Sequence, residues 1–306
     1  MRHAALLLAL AALAAACAPQ TIIRRTAFVP AANAPARAGR PLGPGEVRLD
    51  GHANALNPVI LENGAPDEGD AGVLVPDVHL GGSAWVGLPF GFELGAQAYW
   101  ATARWAKSSA DGVILFPRGE EPDLVMAGPG LRWNAPTGGS RFSVALMAEI
   151  DRVTATQAVF VCRDAEVCDG RAEDGDSARE LYELDHVAER GFWLANAALQ
   201  LGVAIVEPVY LYTTVGAQQS ISNSGFDPRL DSRLADAMHT YWLGTWGIGA
   251  DFRVDSLVFG VSFYFPFAGE DDIGLGPAAS FKLGVVFGGE RPRLAPPRAP
   301  RWADPR

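Results

Sequence analysis

The sequence predicts an all-β chain, a closed, antiparallel, up-and-down transmembrane β-barrel of about ten strands (eight to ten) with disordered N- and C-terminal tails. Three observations predict it. Apolar and polar residues alternate with a period of two in run after run. The connections between those runs are long and short by turns. The two ends are Pro-rich, basic and without periodicity.

The N-terminus reads as an export signal. Arg2 and His3 precede an unbroken Ala/Leu run from Ala4 to Ala16, the length of a signal-peptide apolar region and too short to span a bilayer as a helix. Leu13-Ala14-Ala15-Ala16-Cys17 closes it and resembles the lipobox of bacterial lipoproteins, with Ala14 where that motif usually carries Leu. The resemblance implies cleavage before Cys17 and a lipid, palmitate among its chains, on that cysteine. The alternative is an ordinary secretory signal cut after Ala14-Ala15-Ala16. Residues 1–16 are thus the signal and 17–44 a lipidated Pro/Ala-rich tether. The barrel occupies 45–288, and 289–306 form a basic Pro-rich tail on the periplasmic side. The chain carries −10 overall while both tails are basic, so the part between them is strongly acidic. Nucleic acid is not an expected partner.

Besides Cys17 there are two cysteines, Cys162 and Cys168, with five residues between them in a polar segment. In an oxidising compartment, and with Cys17 acylated, they form an even pair. A disulfide closing so small a loop shapes it more than it stabilises it.

Ten runs qualify as strands, near 45–55, 76–88, 90–104, 123–134, 141–160, 191–206, 209–220, 240–254, 257–266 and 277–287. The clearest sets Phe90, Phe92, Leu94, Ala96, Ala98 and Trp100 against Glu93, Gln97 and Tyr99. The first is the weakest, its apolar face being only Val47, Leu49, Gly51 and Ala53. Long connections are expected at 57–75, 105–122, 161–190, 221–239 and 267–276. Short ones are expected at Pro89, 135–140, Glu207-Pro208 and Asp255-Ser256. A soluble sandwich has no reason to put every long connection at one end, whereas a membrane barrel has short periplasmic turns and longer external loops.

Two further features resemble the outer-membrane β-barrel superfamily, the small bacterial barrels in particular. Aromatic residues (Trp85, Phe90, Trp100, Trp105, Trp133, Trp193, Trp242, Phe265, Phe287) fall near strand ends, as an interfacial girdle does. Lys282, Gly284 and Phe287 match the terminal-strand signal read by the barrel-assembly machinery, although Gly289 stands where a second aromatic is usual and a tail follows. The resemblance implies a Gram-negative outer membrane, with its lipids and the assembly machinery as partners. It puts the 161–190 loop outside and both termini in the periplasm. The competing arrangement is a lipid-tethered periplasmic barrel with a dry interior and its charges outward.

The expected interior set is Glu93, Arg132, Glu149, Asp151, Asp251, Arg253 and Lys282. Charges of both signs without bulk water must pair, which predicts a plug of salt bridges among wall residues. Interior glycines such as Gly95, Gly130, Gly202, Gly247 and Gly249 leave room for a narrow polar pore as the alternative. Catalytic material is sparse. Asp236 with His239, and Asp185-His186, lie near the outer rim, but no second carboxylate pair has the spacing of the omptin proteases. The histidines are far apart in sequence for a His/Ser/Glu hydrolase, and no metal or cofactor is expected. The expected function is a non-enzymatic outer-membrane lipoprotein: an envelope anchor, or a component of a motility, secretion or polysaccharide-export assembly. Its basic tails would contact a periplasmic or envelope-complex protein. A narrow channel and a surface-acting protease or lipid A-modifying hydrolase are the alternatives.

Overall fold

A computed structural model describes residues 22–28, 35–55, 60–61, 71–76, 78–102, 106–108, 123–137, 141–162, 183–220, 242–268, 273–274 and 277–289. The strands are β1 (Ile22–Phe28), β2 (Glu46–Ala55), β3 (Ile60–Leu61), β4 (Ala71–Pro76), β5 (Val78–Gly87), β6 (Phe92–Thr102) and β7 (Ala106–Ser108), followed by β8 (Asp123–Asn134), β9 (Phe142–Cys162), β10 (Glu183–Val206), β11 (Val209–Ser220) and β12 (Trp242–Val254), and finally β13 (Leu257–Ala268), β14 (Ile273–Gly274) and β15 (Ala278–Gly288).

Ten of them form the wall in the order β2-β5-β6-β8-β9-β10-β11-β12-β13-β15. Pairing of β15 with β2, from Ala279↔Ala55 to Gly288↔Glu46, closes the ring. Every wall pair is antiparallel and sequential, so the predicted fold class is observed. Eight of the ten strands have 10 to 13 residues, close to the roughly 9–11 that a tilted strand needs to cross a bilayer. β9 and β10, at 21 and 24 residues, run well past the others at the long-connection end.

The two faces separate in the sense that a membrane requires. Leu94, Leu146, Leu201, Phe263, Phe281 and Leu283 are exposed, whereas Glu93, Arg132, Gln200 and Lys282 on alternate positions are buried. An apolar belt around the circumference cannot face water, and the charged groups lie within the ring rather than on its outside. The arrangement with charges outward is overturned, and the barrel is of the outer-membrane type.

Three expectations are corrected. Trp85 is no girdle residue: it points inward, 2 % exposed, against Leu42, Val258 and Val286. The 161–190 connection is shorter than expected, because β10 begins at Glu183 and pairs with Thr154–Val161 of β9. Its first residues, Glu183 to Val187, are exposed on both faces and mix Leu184 and Val187 with polar side chains out of a period of two, so no alternation announces them.

The largest correction concerns the tether. Residues 35–44 are folded inside the barrel, and Ala36, Arg37 and Ala38 are at most 1 % exposed. Upstream, β1 pairs antiparallel with the protruding end of β9, from Ile22↔Cys162 to Phe28↔Thr156, and parallel with β4. β9 climbs from the short turns to the long connections, so β1 sits at the long-connection end while β15 finishes at the turn end. The first and last described strands thus lie toward opposite ends of the barrel. In the wall β5 and β9 are separated by β6 and β8; above it β1 joins β9 to β4, the continuation of β5.

Candidate functional site in the barrel lumen

The lumen is built from strand positions whose side chains must avoid lipid. Glycines on the inner face make room for rings of neighbouring strands: Trp85 lies over Gly95 and Gly130, Tyr210 over Gly202, Tyr212 over Gly249 and Tyr264 beside Gly247. The glycines expected to leave a bore are covered by aromatic rings instead. Space that remains is taken by residues 35–44, descending from mid-height to the turns.

That segment has no regular structure, and in a water-poor interior each of its peptide groups needs a partner. Wall side chains supply them. Glu149 Oε1 accepts from Ala36 N (2.9 Å), and Lys282 Nζ donates to the carbonyls of Pro35 (3.3 Å), Ala36 (2.9 Å) and Ala38 (3.3 Å). Gln200 reads Gly39 twice, accepting from its N–H (2.8 Å) and donating to its carbonyl (2.9 Å). Arg132 Nη1 donates to Arg37 O (2.7 Å), Asp251 Oδ2 accepts from Arg40 N (3.0 Å), and Glu93 Oε1 accepts from Leu42 N (3.0 Å). At the turn end Glu46 accepts from Gly43 N (2.8 Å). Gly39, at φ +130°, passes so close to Asp251 that a Cβ there would meet Oδ2 at 2.2 Å.

Two charge clusters lock it in place. Glu93 is the centre of the first: it pairs with Arg37, lies 3.6 Å from Arg132 Nε and accepts from Asn134 Nδ2 (2.7 Å), with Arg37, Arg132 and Glu93 all wholly buried. Asp251 is the centre of the second, reached by Arg48 Nη1 at 2.9 Å, while Arg48 Nε lies 2.7 Å from Asp50. Among the described residues, the wall brings carboxyl groups at Glu46, Asp50, Glu93, Glu149, Asp151 and Asp251 against cations at Arg48, Arg132, Arg253 and Lys282. Formally the wall is short of two positive charges, and Arg37 and Arg40 of the segment supply them. Gaps lined by the segment are small, one of about 10 Å³ beside Pro35 and Glu149 and one of the same size beside Arg40 and Asp251. Each has room for about one water.

Of the interior set expected from sequence, Glu93, Arg132, Glu149, Asp251 and Lys282 all bind the segment. Asp151 is buried in the lumen among wall residues, accepting from Gln97 Nε2 (2.8 Å) and Asn196 Nδ2 (3.3 Å). Arg253 sits at the turn-end rim, part-exposed, donating to Glu46 Oε1 (3.0 Å). Lys282 and Gly284 also have a local reason to be what they are: Lys282 holds the segment, and a Cβ at Gly284 would meet Asp50 Oδ1 at 2.1 Å. Phe287 faces outward. Arg37, Arg48, Asp50 and Gln200 are the partners that sequence reading missed. Arg37 and Arg40 were visible only as basic residues in a segment without periodicity.

Among the described residues no catalytic constellation assembles. His52 Nε2 lies 2.8 Å from Ser83 Oγ, but both are in the lumen, and His52 Nδ1 has no hydrogen-bond partner among the described residues. A nucleophilic serine needs its histidine oriented by a third group, and that place is empty of carboxylates. Asp185 and His186 are exposed on the protruding part of β10. Asp236, His239, Cys17 and Cys168 lie outside the described residues.

No family model matches the chain, and no curated protein matches it. Solved structures similar to it include the translocator domain of autotransporter NalP from Neisseria meningitidis, at 11% identity and a TM-score of 0.40, covering 79% of this chain and 88% of that one. LpxR from Salmonella typhimurium is similar at 9% identity and a TM-score of 0.38, covering 78% of this chain and 99% of that one. The outer membrane protein OprG from Pseudomonas aeruginosa is similar at 10% identity and a TM-score of 0.33, over 81% and 98%.

Proposed function

We propose that this protein is a non-enzymatic outer-membrane barrel that serves as a closed anchor, alone or within an envelope-spanning assembly. The observation that carries the reading is the occupied lumen: residues 35–39, 42 and 43 are buried, and Glu93, Asp251, Glu149 and Lys282 of the wall hold the segment. A barrel built to conduct keeps a water-filled path, and a barrel built to hold something still has no need of one. The anchor carries lipid on Cys17, with outer-membrane lipids and the barrel-assembly machinery as its partners. Lys282, Gly284 and Phe287 serve as the assembly signal. The basic tail 289–306 contacts a periplasmic or envelope-complex protein. The Cys162–Cys168 disulfide shapes the tip of β9; support comes from Cys162, which is buried there and disulfide-bonded.

A narrow polar channel is the second reading. It is favoured by His52 Nδ1, Gln97 Oε1 and Ser280 Oγ, buried polar atoms facing the lumen with no hydrogen-bond partner among the described residues. Planar-bilayer recordings separate the two readings. A silent full-length barrel supports the anchor, and step conductance by the intact chain overturns it. Migration of outer-membrane fractions on gels tests the barrel itself: the folded band shifts on boiling, whereas release from membranes by mild washing would count against membrane insertion.

A further inference from the structure

We infer that the chain is threaded through its own barrel, so that its amino-terminal end is displayed on the cell surface. The inference rests on the outer-membrane reading above.

The direction of travel is fixed at each level. Gly45 N bonds Gly87 O (2.8 Å) beside the turns, and Arg40 donates to the Glu207 carbonyl in the β10–β11 turn. Gly39 is at Gln200, and Ala36 has risen to Glu149, halfway up β9. β1 is higher still, running beside β9 from Thr156 to Cys162. Phe28 and Pro35 are seven residues apart, as are Thr156 and Glu149, and seven extended residues reach roughly 23 Å. Going backwards along the sequence, the described stretches rise in order from the turns to the long-connection end.

β1 is not a loose end there. One edge is paired with β9 over seven residues and the other with β4 over four. A strand hydrogen-bonded on both edges has its exit direction set by its neighbours. Short turns mark the periplasmic end of such barrels, so the end where β1 lies is the outer one. Ile22, paired with Cys162, is then on the outer side, and the proposal puts the residues that precede it outside the cell. The carboxyl terminus leaves β15 on the periplasmic side. The two ends of one chain thus present themselves to two compartments.

The test is accessibility on intact cells. One short epitope is inserted after Pro19, a second in the 221–241 connection, and a third in the Glu207-Pro208 turn, each in a separate full-length protein checked for heat-modifiable migration. Antibody binding to the first and second epitopes on intact cells, with the third bound only after permeabilisation, is the expected result. If the first epitope behaves like the third, the threading is overturned. If the second is hidden while the third is exposed, the membrane orientation itself is wrong and the inference falls with it. Should an epitope block assembly, Thr21→Cys labelled with a membrane-impermeant maleimide reads the same position with minimal disturbance. Labelling there that requires permeabilisation also refutes the threading.

Discussion

The guanidinium of Arg37 pairs with the carboxylate of Glu93, both wholly buried, across 56 residues of sequence. One partner belongs to the barrel wall and the other to a segment with no regular structure. The pair is therefore the most direct probe of whether that segment is part of the fold.

Removing one partner of a buried pair leaves an uncompensated charge, at a cost of about 3–5 kcal/mol. Glu93→Gln is expected to lower the temperature at which the folded gel band disappears. Arg37→Met combined with Glu93→Gln should recover part of the loss, because Arg37 is then no longer stranded while Arg132 still lacks its carboxylate. A double variant no better than the single one would show that the pair contributes little.

Gly39 is expected to tolerate no side chain. Its φ of +130° is unfavourable for L residues, and a Cβ would strike Asp251, which also receives Arg48 and Arg40 N. The backbone strain alone costs roughly 1–3 kcal/mol. Gly39→Ala should expose the segment to limited proteolysis while leaving the wall strands protected, which mass spectrometry of the fragments can read.

Trp85 fills the lumen between Gly95, Gly130 and Leu42. Trp85→Ala removes a large buried ring, and such truncations destabilise by about 3–5 kcal/mol. Thermal unfolding followed by strand-sensitive circular dichroism should show the midpoint drop. Trp100→Ala, on the outer face, should move it less.

Replacing residues 35–44 by a Gly/Ser linker of equal length removes Arg37, Arg40 and the backbone that Lys282, Gln200 and Glu149 hold. Step conductance should then appear in planar bilayers where the full-length barrel gives none. Continued silence would mean that the wall side chains close the lumen unaided.

Strand positions were legible because lipid outside and polar groups inside impose a period of two on every crossing segment, as in Phe92 to Trp100. The 10-strand order followed from the short turns, which leave antiparallel neighbours no alternative. Four kinds of feature were not legible. Trp85 carries the same residue type as a girdle tryptophan, and only its register turns it inward. The start of β10 is exposed on both faces, with Leu184 and Val187 out of a period of two. Residues 35–44 have no period because their peptide groups are met one at a time by distant side chains, a pattern that sequence spacing does not encode. β2 read as the weakest strand because Val47, Leu49, Gly51 and Ala53 make a poor apolar face; its other face carries Arg48, Asp50 and His52, which bond Asp251, Arg48 and Ser83 inside the lumen. What sequence did carry was the charge imbalance: a surplus of acid in the body and of base in the tether.

Pairing of β15 with β2 has a mechanical consequence. The ring is sealed by the last wall strand joining the first, and the segment inside it lies upstream of both. The hoop encloses residues 35–44, and the strand upstream of them, β1, is held by β9 and β4. If the threading proposed above holds, an acylated leading end could not be pushed through a finished hoop. The ring would then close around the segment, with the pairing of β15 and β2 as the step that seals it.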